Sequence, residues 1–253
     1  MSAERYLKAI TSVIDDLEKT QGAALHEAAR LMADSIEADG LVHVFGSGHS
    51  VIPAMDIFPR YGSFVGFHPL MDPRLMWTDV IGGGGARELL WLERQEGYLD
   101  NFLRSHVLRA TDTLLVFSHG GLNAAGIEAA LAARREGLRV IAVTSVANQE
   151  AAASTHSSGK KLSDLADVVI DNRIPPEDAL VKIDGLNEPV AAGSTIAVVA
   201  ISMSLVADVA EQLVRRGRAL DVFVSPNVEG VPPGHNQHVF EVYTSRIRKH
   251  QQT

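Results

Sequence analysis

The chain contains no cysteine in its 253 residues. Disulfides, thiolate metal sites and cysteine nucleophiles are therefore excluded, and a reducing compartment is permitted. Positive charge is also short: 23 Lys and Arg against 31 Asp and Glu leave a net charge of −8. That balance argues against sequence-independent binding to nucleic acid or to acidic lipid. The opening residues Met1-Ser2-Ala3-Glu4-Arg5 lack a basic segment followed by an apolar core, so no secretory signal is expected. The longest apolar stretch, Thr195 to Val209, contains Asp208 and hydroxyl residues and is too short to span a bilayer. What remains is ordinary for a globular domain, 46% hydrophobic and 21% charged, which excludes disorder and collagen-like repeats. The expectation is a cytoplasmic protein with neither a membrane nor a nucleic-acid partner.

Apolar residues recur at helical spacing from Glu4 to Ala38, with a soft spot at Gly22, predicting one long helix or two consecutive ones. Residues 1–38 thus form an N-terminal helical extension, and residues 39–253 a single domain. Leu41 to Phe45 is a short apolar run that stops at Gly46-Ser47-Gly48-His49-Ser50, and a helix from Val51 to Tyr61 should follow, with Pro53 in its first turn. Ser63 to Phe67 reads as a second strand. Past the four glycines Gly82 to Gly85, a helix is predicted from Arg87 to Ala110. Asp112 to Phe117, an alanine-rich helix to Glu136, and Arg139 to Ser145 then make a strand, helix, strand unit. Its continuous apolar strands argue for a parallel sheet covered on both faces. Asp167 to Asp171 is a further strand, Ser194 to Arg216 a long apolar helix, and Val222 to Val224 is strand-like. A three-layer α/β sandwich fits this order, and no linker divides it.

Chemistry concentrates at the ends of these strands, where open α/β sheets bind ligands. In Gly46-Ser47-Gly48-His49-Ser50 the glycines let the backbone approach closely, the hydroxyls donate, and the next helix offers free N–H groups to an oxyanion. Ser118-His119-Gly120-Gly121-Leu122-Asn123 repeats that composition after another strand, and Thr144-Ser145 adds hydroxyls at a third. The alternative for each loop is an ordinary turn with capping serines. No lysine follows in Walker A order, and Val51 stands where a dinucleotide fingerprint needs its third glycine. The nucleophile elbow of serine hydrolases is also absent. No metal site is marked: no His-x-x-x-His pair encloses a glutamate, and His235 and His238, three apart in a Gly/Pro-rich loop, have a spacing that could bind zinc but does not by itself define a site.

Taken in order, these two loops and the helices after them resemble the SIS (sugar isomerase) family of phosphosugar-binding domains, and a stand-alone subgroup of it in particular. The resemblance runs through Leu92-Glu93-Arg94-Gln95-Glu96-Gly97-Tyr98, His156-Ser157-Ser158-Gly159-Lys160-Lys161-Leu162, Gly193-Ser194-Thr195, Val224-Ser225-Pro226-Asn227 and His235-Asn236. It implies a flavodoxin-like sandwich with a five-stranded parallel sheet, a sugar phosphate held by the Ser/Thr loops, and a homodimer or homotetramer with sites near the interface. The N-terminal helical segment is expected to pack on a partner subunit. Asn123 stands where the family has threonine, and His119-Gly120 replaces Ser-Gly.

Aldose–ketose isomerisation through an enediol needs a base to move a proton between neighbouring carbons and an acid to open the ring. The resemblance makes Glu96, matched with a catalytic Glu-Gly stretch of related etherases, the candidate base. Glu93 lies one helical turn before it, with a solvated surface position as the competing reading for both. Asp56 stands where relatives carry glutamate. His235 is a second acid/base candidate, since in some relatives a neighbouring subunit contributes a histidine. No organic cofactor is required. A sugar-phosphate isomerase is the first reading, a non-catalytic phosphosugar sensor the second, and an amino-sugar-phosphate deaminase or etherase-type lyase the third.

Overall fold

The computed structural model describes residues 1–252. Five strands, β1 (Val42–Gly46), β2 (Phe67–Pro69), β3 (Thr113–Phe117), β4 (Arg139–Thr144) and β5 (Val168–Asp171), form one parallel sheet in the order β2-β1-β3-β4-β5. β1 lies in register with β3, Val42 beside Thr113 and Gly46 beside Phe117. Every residue of β1 and β3 is buried, as expected for strands covered on both faces. Alternate side chains feed two cores. One packs Met32, Phe67, Leu115, Ile141 and Leu205; the other packs Phe45, Leu99, Val116, Ile127 and Val140.

The first core lies under α1 (Ser2–Glu37), α2 (Val51–Ile57) and α7 (Ser194–Arg215), the second under α3 (Ala86–Leu92), α4 (Tyr98–Leu103) and α5 (Ala124–Arg135). α1 is a single helix that continues through Gly22. It packs against α7, with Ile10, Leu17, Ala28 and Met32 buried within the chain. Arg216 closes the pair by donating to Asp34 at 2.7 Å and Glu37 at 3.0 Å. α7 has the length and apolarity to cross a membrane, but its buried face, including Ile201, Leu205 and Val209, belongs to the sheet core, which accounts for that composition.

Several boundaries differ from the sequence reading. α2 ends at Ile57, three residues after Ala54, because Phe58 turns extended ahead of Pro59. The strand expected at Ser63 to Phe67 joins the sheet only at Phe67–Pro69, and Phe64 instead pairs antiparallel with Val222 of the tail. The helix expected from Arg87 to Ala110 is two short helices, separated by Glu93 to Gly97, with the left-handed φ of 83° at Gly97 setting the start of the second, which ends at Leu103. A short α6 (Val146–Ala151) follows β4, capped by Ser145. The tail ends in α8 (His235–Gln252), which covers the β2 side of the sheet. There Tyr243 Oη and His68 Nδ1 lie 2.7 Å apart, and Arg246 donates to the carbonyls of Ile36 and Gly40. Burial pushes the His68 imidazole down to about 4.

Candidate functional site

The chain runs from β1 outward to β2, then returns to the other side of β1 with β3 and continues to β4 and β5. The order reverses between β1 and β3, and such a switch point opens a crevice at the carboxyl ends of the strands. The loops Gly46 to Ser50 and Ser118 to Asn123 are the two that flank it.

The first loop is shaped by close approach. A Cβ on Gly46 would meet the Ser50 carbonyl oxygen at 2.1 Å, and Gly48 holds φ at 60° beside Trp77 and Leu89. Ser47 leads a one-turn 3-10 helix, Gly48–Ser50. His49 is exposed, its ring edge-on to Trp77 at 4.5 Å, and Ser50 is half-buried.

The second loop is clamped from three sides. Ser118 Oγ accepts the Gly121 N–H at 3.1 Å, Thr144 Oγ1 and the Ser145 N–H both donate to the His119 carbonyl, and Thr155 donates twice to the Leu122 carbonyl. Gly121, with φ of 60°, leaves 2.1 Å between a built Cβ and Gln149 Nε2. Gln149 in turn donates to Thr144 Oγ1 at 2.8 Å. Thr144 and Ser145 are thus fully buried braces: the Ser145 hydroxyl donates to the Ile174 carbonyl at 2.6 Å and caps α6 at Asn148. Their hydroxyls face protein rather than the crevice.

Glu93 joins the two loops. Ser47 Oγ donates to its Oε2 at 2.9 Å, and Asn123 Nδ2 donates to its Oε1 at 2.8 Å. Its backbone takes part as well, the Glu93 carbonyl accepting the Ala125 N–H at 3.0 Å. Glu93 is 8% exposed, and burial pushes its carboxyl above the ordinary value, opposed by Ser47, Arg94 and Asn123. Asn123 begins α5 without capping it, because its side chain is directed to Glu93.

Glu96 faces elsewhere. It accepts the Ser157 N–H at 2.6 Å and the Ser157 hydroxyl at 2.5 Å, with His156 Nε2 3.6 Å away. It is exposed, and the two Ser157 bonds hold its carboxyl below the ordinary range. Its contact anchors the 154–162 segment, which lies over the second loop through Thr155 and the Leu162 N–H on the Gly121 carbonyl. Asp56 on α2 is paired with Arg60, just beyond the helix end. His235 donates from Nε2 to the Val222 carbonyl at 2.8 Å, at the start of α8. Asp56 and Asn236 line a cavity of about 640 Å³ with Tyr61, Phe223 and Phe240, apart from the Glu93 constellation.

Beside that constellation, α3 bounds a cavity of about 510 Å³ lined by Arg74, Thr78, Gly84, Leu89, Leu92 and Tyr98. A larger groove of about 760 Å³ follows the glycine run, between Val80-Ile81 and Trp91. Among the described residues, His235 and His238 share no ligand position, since His238 lies 3.7 Å from Asp221 while His235 is held by Val222.

The family profile of the SIS domain matches residues 5–145, which cover α1, both loops and Glu93. A UPF0309 protein of Listeria innocua is 34% identical over 242 residues, 96% of each chain. Among solved structures, a phosphoheptose isomerase from Neisseria gonorrhoeae superposes with TM-score 0.56 at 18% identity, covering 83% of this chain and 97% of that one. A phosphoheptose isomerase from Francisella tularensis does so with TM-score 0.53 at 17% identity, covering 83% and 96%. These likenesses show the fold, a parallel α/β sandwich. The chain belongs to the SIS-domain family.

Proposed function

We propose that the chain binds a sugar phosphate in the crevice between the Gly46 to Ser50 and Ser118 to Asn123 loops and interconverts aldose and ketose forms of it. The observation that carries this reading is the Glu93 carboxylate, buried between two oxyanion-type loops and held by one donor from each. A base that moves a proton through an enediol needs a carboxyl raised towards the working pH, and Glu93 is shifted in that direction. Glu96 is shifted the other way and serves the 154–162 segment. In this reading Glu93 is the base, with Ser47 positioning it, and the hydroxyls of Ser50 and Ser118 and the backbone N–H groups of the two loops receive the phosphate. His49 and His119 flank it.

The phosphoheptose isomerases of similar fold support the choice of isomerisation over a sensor or lyase role. Exposed Val80, Ile81, Leu90 and Trp91 beside the crevice support a homo-oligomer with the site near its interface, where His235 or Asp56 of a neighbouring copy would complete the acid/base set.

The test is a melting-temperature screen of pentose, hexose, heptose and amino-sugar phosphates with their free sugars as controls, followed by turnover assays on every stabilising compound. A ligand that binds the folded state raises the melting temperature with the logarithm of its concentration. Stabilisation by the phosphates alone, with turnover lost in Glu93→Gln and kept in Glu96→Gln, is the expected result. Stabilisation only by unphosphorylated sugars would overturn it.

A further inference from the structure

We propose that His43, Asp112 and His250 form a binding site for a divalent transition-metal ion of the zinc type, at the end of the sheet opposite the sugar-phosphate crevice. His43 is the second residue of β1, Asp112 precedes β3 and His250 lies near the end of α8, so the site ties the C-terminal helix to the amino ends of the central strands. All three side chains are buried, at 1%, 1% and 3% exposure. His43 Nε2 lies 3.1 Å from Asp112 Oδ2, and His250 Nε2 lies 2.8 Å from the same oxygen and 3.0 Å from Oδ1. One ligand atom from each residue falls within 4.8 Å of the others.

Two imidazole nitrogens and a carboxylate are the donors zinc takes in three-ligand sites, with a water as the fourth. Bonds of about 2.0–2.1 Å in tetrahedral array place ligand atoms about 3.3 Å apart. Each Nε2 therefore needs to open from Asp112 Oδ2 by about 0.2–0.5 Å, with the two imidazole nitrogens starting within 4.8 Å of each other. The carboxylate is already fixed by the backbone N–H groups of Leu41, at 2.9 Å, and Arg109, at 2.8 Å. Such outer contacts are what hold a ligating carboxylate in orientation. His43 Nδ1 is buried with no hydrogen-bond partner, so nothing but Asp112 and the neighbouring rings orients this imidazole. Binding exchanges the two Nε2–H donations for metal bonds and moves each imidazole proton to Nδ1, with no change in charge on the protein.

The helix that carries His250 gives the site its reason. Along the 18 residues of α8 only Val239 and His250 are fully buried; Val242 and Tyr243 are partly buried against the sheet core, and the last turn is held by Arg109 donating to the His250 carbonyl. A cation at His250 adds cohesion at the end of the helix, beyond the apolar contacts of Val239, Val242 and Tyr243. Its place at the amino ends of the strands, away from the crevice, makes it a stabilising site, independent of the reading of the sugar-phosphate loops.

The experiment is titration of chelator-stripped protein with Zn2+ alone and with Co2+ alone, following melting temperature, stoichiometry and the visible spectrum of Co2+. One ion per chain, a raised melting temperature, a tetrahedral Co2+ spectrum and an X-ray absorption shell containing two imidazoles are expected. His250→Gln and His43→Asn should each weaken binding at least about 10-fold, since loss of an outer contact alone costs about 10–100-fold, while His238→Gln should leave it unchanged. No uptake, binding that survives both ligand substitutions, or a six-coordinate shell without imidazole would overturn the proposal. The absorption measurement on wild-type protein decides the matter even if a substituted chain does not fold.

Discussion

Ser47 and Asn123 stand 76 positions apart on different loops and grip opposite oxygens of one carboxylate, that of Glu93. Ser47 lies at the end of β1 and Asn123 at the start of α5, so the two donors sit on either side of the point where the strand order reverses. The arrangement places a poorly solvated carboxyl where both loops converge, and the predictions at this site follow from it.

Glu93→Gln keeps the shape and the acceptor oxygen but removes the base. Turnover is expected to fall by about 10²–10⁴-fold, the usual contribution of positioned proton transfer. The melting-temperature rise produced by a sugar phosphate should persist. A mutant whose turnover stays within twofold of wild type would remove Glu93 from the reaction.

The pH dependence of stability carries a defined sign. Glu93 has an ordinary carboxyl value of 4.5 and a raised value in the folded chain. Between the two, the folded state binds more protons than the unfolded state, so Glu93 lowers stability as pH rises through that window. One proton corresponds to a slope of at most about 1.4 kcal/mol per pH unit. Urea unfolding of wild type and Glu93→Gln across the window should show the mutant losing less stability with rising pH. Parallel curves would mean that the carboxyl is not shifted.

Gly121 has no tolerance for a side chain. Its φ is 60°, and a Cβ would fall 2.1 Å from Gln149 Nε2, the group that braces Thr144. Gly121→Ala is expected to cost about 1–3 kcal/mol from the backbone conformation and the displaced brace. Gly22→Ala is the contrast, since nothing lies within 4 Å of a Cβ there. In the middle of a helix it should stabilise by about 0.5–1 kcal/mol. Chemical denaturation of the two variants measures both signs.

The sheet and the two loops were readable because continuous apolar runs and glycine-hydroxyl loops are local signals, as Leu114 to Ser118 and Phe45 to Ser47 illustrate. Glu93 and Glu96 were not separable in that way. One helical turn divides them, and only the break at Gly97 and the path of residues 154–162 send one inward and the other to Ser157. Thr144 and Ser145 carry the right hydroxyls at the right strand end, yet Gln149 and Ile174 claim them. α8 carries Val239, Val242, Tyr243 and Ile247 at helical spacing, but only Val239 of these is fully buried, so its apolar stripe is thin against the polar residues around it. The His43, Asp112 and His250 grouping joins positions 69 and 138 residues apart, a distance at which no spacing rule operates.

The attachment of α8 supplies the last prediction. Asp112 receives N–H groups from Leu41 and Arg109 together with both imidazoles. Burial opposes its ionisation, but the hydrogen bonds from His43 and Leu41 outweigh that and hold the carboxyl below its ordinary range. Asp112→Ala leaves the buried Leu41 N–H, the partly buried Arg109 N–H and two buried imidazoles without their acceptor, a loss of about 3–5 kcal/mol when a buried network is broken from one side. Because α8 has no fully buried apolar residue after Val239, the damage should begin in its last turns. In chelator-containing buffer, hydrogen exchange of the Asp112→Ala chain should quicken first along α8 and at the amino ends of β1 and β3, while amides of α5 stay protected. Uniform acceleration across the sheet would show that α8 is held by its remaining contacts and that Asp112 secures the domain as a whole.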